Sequence, residues 1–291
     1  MLIIMPGILP GCLKDSFCVD KKVLLLSLLS IFTLSCQRAE IRVMSYNIRY
    51  GKANDGEYSW EYRKVATPVM LRELKPAVFG VQEALDYQLD YILEQCPEYK
   101  SVGVGREDGI SEGEHMSVFY DTGRLLLLDW GTYWLSETPD VPSKGWDARC
   151  KRTATWTKFR DIKSRKEFFF VNTHLDHRGA EARKEGLALI YKRIQAMNPS
   201  GLPMVLLGDF NVMPDDECLT DISALMKNAR LNADKADTGG SYHGYGKVSQ
   251  PIDYIFYKGF RRCRNFRIVT ESFAGCPYVS DHYPIYADIA L

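Results

Sequence analysis

Ten side chains sit at or just past the ends of apolar runs, and together they carry the chemistry this sequence can do. "MSYN" ends in Asn47 and "VFGVQE" in Glu83. "FFFVNTH" closes on Asn172 and His174, and "VLLGDFN" on Asp209 and Asn211. "PIDYIF" carries Asp253, "YVSDH" carries Asp281 and His282, and Arg152 precedes the run "TATWTKF". One such polar end is an ordinary turn former. Repeated over six runs, the pattern describes a cluster of carboxylates, imidazoles and amides if the run ends gather at one edge. Carboxylate and amide oxygens are hard ligands that suit Mg²⁺, with Mn²⁺ as an alternative ion. Two imidazoles exceed what a Mg²⁺ site needs and serve better as phosphate contacts or proton-transfer groups. A hard cation, acceptors that orient water and imidazoles facing an anion describe metal-assisted hydrolysis of a phosphoester.

The elements that must position these residues alternate. Short apolar or β-branched runs predict strands over 41–48, 77–83, 116–121, 153–159, 168–174, 204–210, 252–257 and 266–272. Patterned runs predict helices near 61–74, 86–96, 180–197 and 217–229. In the third, Leu187, Ile190, Tyr191, Ile194 and Met197 recur at helical spacing. Strands alternating with helices define an α/β class. The runs 168–174 and 204–210 are apolar almost throughout, as strands buried on both faces are.

The ordered set "MSYNIRY … VQE … KRTATW … NTHLDH … LLGDFN … PIDYIF … SDHYPI" resembles the endonuclease/exonuclease/phosphatase superfamily from about Ile41 onward. The resemblance implies a four-layer α/β sandwich, two packed mixed β-sheets flanked by helices, with the site at one edge. It implies Mg²⁺-dependent hydrolysis of a phosphodiester or phosphomonoester by attack of water. Residue by residue, it makes Glu83, Asn47 and Asp281 metal ligands. Asp209 orients or deprotonates the water, and Asn211 holds that water or a phosphate oxygen. His282 contacts the scissile phosphate or acts as a base, Asp253 orients it as a triad carboxylate does, and His174 stabilises developing charge. Arg152 and Asn172 complete the set as substrate contacts. The division of acid and base between the imidazoles stays open. Asp176 and His177 either line the site or begin a loop; His115 and His243 read as structural.

Composition narrows the partners. The 291 residues hold 37 basic and 37 acidic side chains, a net charge of zero. A nuclease tracking a polyanion wants a basic excess, and only "RRCR" at 261–264 offers one locally. Small phosphates, lipid head groups and nucleic acid remain as substrate classes. The alternatives to the hydrolase are a nuclease of the same family and a non-catalytic binding module that kept the fold; the complete set of ligands and imidazoles argues against the second.

The N-terminal part has its own pattern. Lys21-Lys22 precede twelve mostly apolar residues, Val23 to Leu34, then Ser35-Cys36. This is the build of a secretory signal, and it is too short to span a bilayer. Cys36 is lipobox-like, although Thr33 stands where leucine is usual. The expectation is therefore an over-extended start plus signal over 1–36 and one catalytic domain over 37–291. The protein would be an exported monomer, held at the periplasmic or cell surface through lipid on Cys36, or otherwise secreted. Five cysteines follow Cys36, widely spaced with no CxxC pair and odd in number, so no zinc site is expected and at most one or two disulfides are.

Overall fold

Period-two alternation decides which side of each strand meets which layer. The computed structural model describes Gly7 and residues 40–291; the signal and lipobox reading lies outside the described residues. In chain order the strands are β1 (Glu40–Asn47), β2 (Val78–Gln82), β3 (Tyr99–Val102), β4 (Val118–Asp121), β5 (Leu125–Trp134), β6 (Thr153–Asp161) and β7 (Glu167–His174). They continue as β8 (Met204–Asp209), β9 (Lys227–Asn228), β10 (Ala233–Ala236), β11 (Asp253–Lys258), β12 (Arg262–Ile268) and β13 (Ile285–Ala290). The principal helices are α1 (Ala66–Leu74), α2 (Asp86–Gln95), α3 (Ala180–Met197) and α4 (Thr220–Leu225).

The strands form two mixed sheets, ordered β10-β12-β13-β1-β2-β4-β3 and β5-β6-β7-β8-β11-β9. Ile41 and Val43 of β1, Phe168 and Phe170 of β7, Val205 and Leu207 of β8, and Ile255 of β11 share one cluster, the layer between the sheets. The alternate residues face outward. Met44, Tyr46 and Phe79 pack with Met70 and Leu71 of α1 and Leu89 and Ile92 of α2. Phe169, Val171 and Leu206 pack with Leu187, Ile190 and Ile194 of α3. This is the four-layer sandwich, helices outside and two sheets within. Each fully buried Phe or Ile contributes roughly 1.5–3 kcal/mol of apolar burial, and the middle layer holds the largest share of them.

Two local expectations need correction. The helix over 217–229 breaks into a 3₁₀ turn (Glu217–Leu219), α4, and a separate turn (Ala229–Asn232). Met226 is extended, Lys227 and Asn228 pair with β11 as β9, and the Asn228 side chain caps the next turn by accepting from Arg230 N at 3.0 Å. Cys96, Cys150, Cys218, Cys263 and Cys276 are all free, so none of them forms a disulfide among the described residues. The helix over 180–197 falls where its spacing predicts, and its start is held from a distance. Asp147 of the "GWDA" segment accepts from Ala182 N at 2.8 Å, supplying the cap that Gly179 lacks.

Candidate active site

Asn47, His174, Asp209 and Asp253 have the same parity as the apolar residues of the middle layer. Each is the last inward-facing residue at its end of the strand, so where apolar filling stops, polar groups begin. Register brings them together: His174 of β7 lies beside Asp209 of β8, which lies opposite Asp253 of β11. On the other sheet, β1 and β2 run parallel, and Glu83 directly follows β2. Because β13 is antiparallel to β1, with Ile285 opposite Ser45, the preceding Asp281 and His282 arrive at the same edge.

The result is a cavity of about 540 Å³ lined by Glu83, His174, Asp209, Asn211, Asp281 and His282, with Arg49, Arg106, Glu114, Arg152, His177 and Tyr242 among its other walls. Asp209 is the hub. Its carboxylate accepts from Asn47 Nδ2 at 3.0 Å and lies 3.5 Å from His174 Nε2 and 3.7 Å from His282 Nε2. His282 Nδ1 is 2.8 Å from Asp253 Oδ2. Asp253 therefore sits behind the imidazole, fixes its Nδ1–H tautomer and leaves Nε2 toward the cavity. Asn211 Nδ2 donates to His174 Nε2 at 2.9 Å. Asn47 also donates to Glu83 at 3.2 Å, while its own oxygen accepts from Arg49 N at 2.9 Å. Asn47 thus holds two carboxylates in place rather than facing the cavity itself. Arg49 pairs bidentately with Asp55 and lies 3.5 Å from Asp281.

Three of these residues sit in the left-handed region, Arg49 (φ 65°), Glu83 (φ 61°) and Asn211 (φ 55°). Each lies one or two residues past a strand end. The turn points the side chain into the site at a backbone cost on the order of 1 kcal/mol or more.

The electrostatics follow from crowding. Burial and then the Asp253 charge push Asp209 up to about 7. Burial raises Asp281, and Glu83 adds to it. Burial alone would lower His282, but Asp253 and then Asp209 override it and carry it up to about 10. His174 goes the other way, pushed well below its ordinary value by burial and then by Arg152. Two buried imidazoles in one cavity thus hold opposite protonation, His282 cationic and His174 neutral.

One expected site residue is placed elsewhere. Asn172 is fully buried between the sheets, two residues deeper along β7 than His174. Its amide donates to Val81 O at 2.8 Å and Ser117 O at 3.0 Å and accepts from Gln82 Nε2 at 2.6 Å. It staples the two sheets and does not line the cavity. Gly80 makes room for it, because a Cβ there would lie 2.4 Å from Asn172 Cγ. Asn172→Leu is expected to cost roughly 3 kcal/mol by orphaning those buried groups, read as a lower denaturation midpoint. KM of the folded fraction should stay unchanged.

Arg152 is buried and lines the cavity. His177 lines it too, and Asp176 backs both, accepting from Cys150 N, Arg152 Nε, Arg178 N and Gly179 N. His243 is buried and stacked on Tyr283 at 3.9 Å, and His115 is buried in a bridge to Ala84, both structural. Arg106 and Glu114 were not foreseen. They lie in a segment of glycines and charges with no strand or helix period. Their one sequence signal is a pair of opposite charges flanking "EDGISEG".

The endonuclease/exonuclease/phosphatase family model matches residues 44–282. That span begins within β1 and ends on the imidazole that Asp253 holds. The chain belongs to the endonuclease/exonuclease/phosphatase family. Solved relatives agree. A family member from Bacteroides vulgatus is 34% identical, with a TM-score of 0.82 over 87% of this chain and 100% of its own. A mannosyl-6-phosphatase from Bacteroides thetaiotaomicron is 30% identical, with a TM-score of 0.80 over 86% and 100%. An uncharacterised protein of Acanthamoeba polyphaga mimivirus is 26% identical over 78% of this chain and 91% of its own. Family membership accounts for why the polar strand ends of both sheets meet: the fold is one on which phosphoester hydrolases are built.

Proposed function

We propose that this family member hydrolyses a phosphoester with Mg²⁺ by attack of a water held at Asp209. The observation that carries the proposal is the placement of that buried carboxylate, between two imidazoles, tied through Asn47 to Glu83, and open to one cavity. The donor set fits a hard dication. Glu83, His174 and Asp209 offer ligand atoms within 4.8 Å of one another, Asp281 faces the same cavity, and the Glu83 charge adds to the burial that raises Asp209 and Asp281. Glu83 and Asp281 would hold the ion with Asp209 beside them, and the ion would supply Lewis-acid polarisation of a phosphoryl oxygen.

The chain's own groups do the rest. Asp209, lifted toward neutrality by its neighbours, accepts the proton of the attacking water. His282, oriented by Asp253, presents Nε2–H to a phosphoryl oxygen. Asn211 donates to His174 Nε2 and so fixes that neutral ring beside Asp209. The likeness to a mannosyl-6-phosphatase supports a phosphorylated sugar among the substrates to be tried. The Lys21-Lys22, apolar and Cys36 sequence supports export with a lipid anchor.

The test is hydrolysis of p-nitrophenyl phosphate, bis-p-nitrophenyl phosphate, mannose 6-phosphate, sphingomyelin and single-stranded DNA, with Mg²⁺ and with EDTA. Metal-dependent turnover of at least one, abolished by EDTA and restored by excess Mg²⁺, is expected. Turnover indifferent to EDTA would sink the metal reading. No turnover and no Mg²⁺ binding by the folded protein would favour the binding module.

A further inference from the structure

We infer that the cavity selects a phosphate monoester dianion, read by a second face of N–H donors built from Arg106, Arg152 and His177. This deepens the hydrolase proposal and rests on it. Arg152 is 5% exposed. Its Nε donates to Asp176 at 3.3 Å and its Nη2 to His177 Nδ1 at 3.1 Å. Its Nη1 is buried and has no partner among the described residues. Arg106 repeats the arrangement. Nη1 donates to Glu114 at 2.8 Å, while the buried Nε makes no hydrogen bond among the described residues and has only Glu107 Oε1 at 3.5 Å beside it. Both guanidiniums line the cavity that holds Asp209 and His282. Both also lie close enough to His174 to depress its basicity.

A buried guanidinium with an idle N–H is costly unless an anion completes it. The face is held ready for one. Four donors pin Asp176 behind Arg152. Trp134 Nε1 donates to Arg106 O at 2.7 Å, and Lys151 Nζ ties down Glu107 O at 2.8 Å. His177 adds a donor. Arginine can only donate, so His177 Nδ1 must accept, and its proton lies on Nε2.

The charge and oxygen count of the ligand follow. A monoester at neutral pH carries about −1.5 to −2 charge and three terminal oxygens. A diester carries one charge and two terminal oxygens. Once Asp209, His282 and His174 surround the reacting phosphoryl group, a third terminal oxygen is available for Arg106 and Arg152. A diester would place a carbon-bearing oxygen there and leave both donors unpaired, the kind of mismatch that discriminates most strongly.

The experiment uses the purified full chain and two readouts. With Mg²⁺, kcat/KM for p-nitrophenyl phosphate should exceed that for bis-p-nitrophenyl phosphate by about 100-fold or more. Arg152→Lys and Arg106→Met should each lower the monoester value by about tenfold while changing the diester value less than about threefold. Without metal, in EDTA, calorimetry should detect binding of inorganic phosphate and none of dimethyl phosphate, and Arg152→Lys should weaken the first. Diester preference, equal loss of both activities in either variant, or equal binding of both anions would overturn the inference. Turnover of the diester alone would do so while leaving the hydrolase standing. Failure to hydrolyse either ester with Mg²⁺ or Mn²⁺ would instead remove the hydrolase, with the two anions still deciding the selectivity.

Discussion

His282→Ala should lower kcat/KM for the preferred phosphoester by about 10³-fold, the middle of the range a positioned proton-transfer group contributes. The imidazole is buried, backed by Asp253 at 2.8 Å and aimed at the cavity beside Asp209. Truncation removes the donor to the phosphoryl oxygen. It also leaves the Asp253 carboxylate buried without its partner, which costs stability of roughly 3 kcal/mol. The kinetic loss must therefore be separated from unfolding. His282→Gln keeps a polar group against Asp253 and should lose activity almost as fully while melting closer to the parent. Asp253→Asn should cost less than either, because the ring remains but its tautomer is no longer enforced. If His282→Gln, shown folded by circular dichroism, retains more than about a tenth of the parent activity, His282 is not part of the chemistry.

Glu83→Gln abolishes metal-dependent turnover and does the opposite to stability. The charge of Glu83 pushes up Asp209 and Asp281 in the metal-free protein, so its removal relieves repulsion among three carboxylates around one cavity. The amide oxygen keeps the acceptor for Tyr50 N, now 2.8 Å from Oε2, while its NH2 gives up the bond from Asn47 Nδ2, which offsets part of that relief. The metal-free variant should be more stable by about 1 kcal/mol, while the rise in melting temperature that Mg²⁺ gives the parent should vanish. Thermal melts with and without Mg²⁺ measure both. A variant still stabilised by Mg²⁺ to the parent's extent would take Glu83 out of the metal site.

Most of this site was legible because strand parity is legible. In "FFFVNTH" the inward residues Phe168 and Phe170 lead to His174, and in "VLLGD" Val205 and Leu207 lead to Asp209. Period two carries each catalytic group to the same side as the core residues before it. What parity does not encode is depth. Asn172 shares the inward face with His174, but one step back along the strand puts it between the sheets rather than in the cavity. Residues brought by loops carry no period at all, so Arg106 and Glu114 were invisible while Asp281 and His282, two to four residues before β13, were not. The edges of the fold were also hard to read. The two-residue β9 and the mostly exposed β10 bury too little to leave a pattern. The α4 region broke because Asn228 caps locally and Lys227 finds a strand partner, choices that depend on β11, which lies far along the chain.

The seven-stranded sheet places β13 between β12 and β1, and Arg42 meets Asp288 across 246 residues. During synthesis β1 therefore waits with one edge unpaired until every strand from β2 to β12 has been made. The same late strand delivers Asp281 and His282, so the nascent chain can neither close its sheet nor assemble its site early. An open strand edge is a template for wrong partners, and the cell must shield it for the length of one translation. For a polypeptide threaded unfolded through a membrane, that delay is an advantage. The chain stays extensible until β13 is delivered, and the cavity is complete only then.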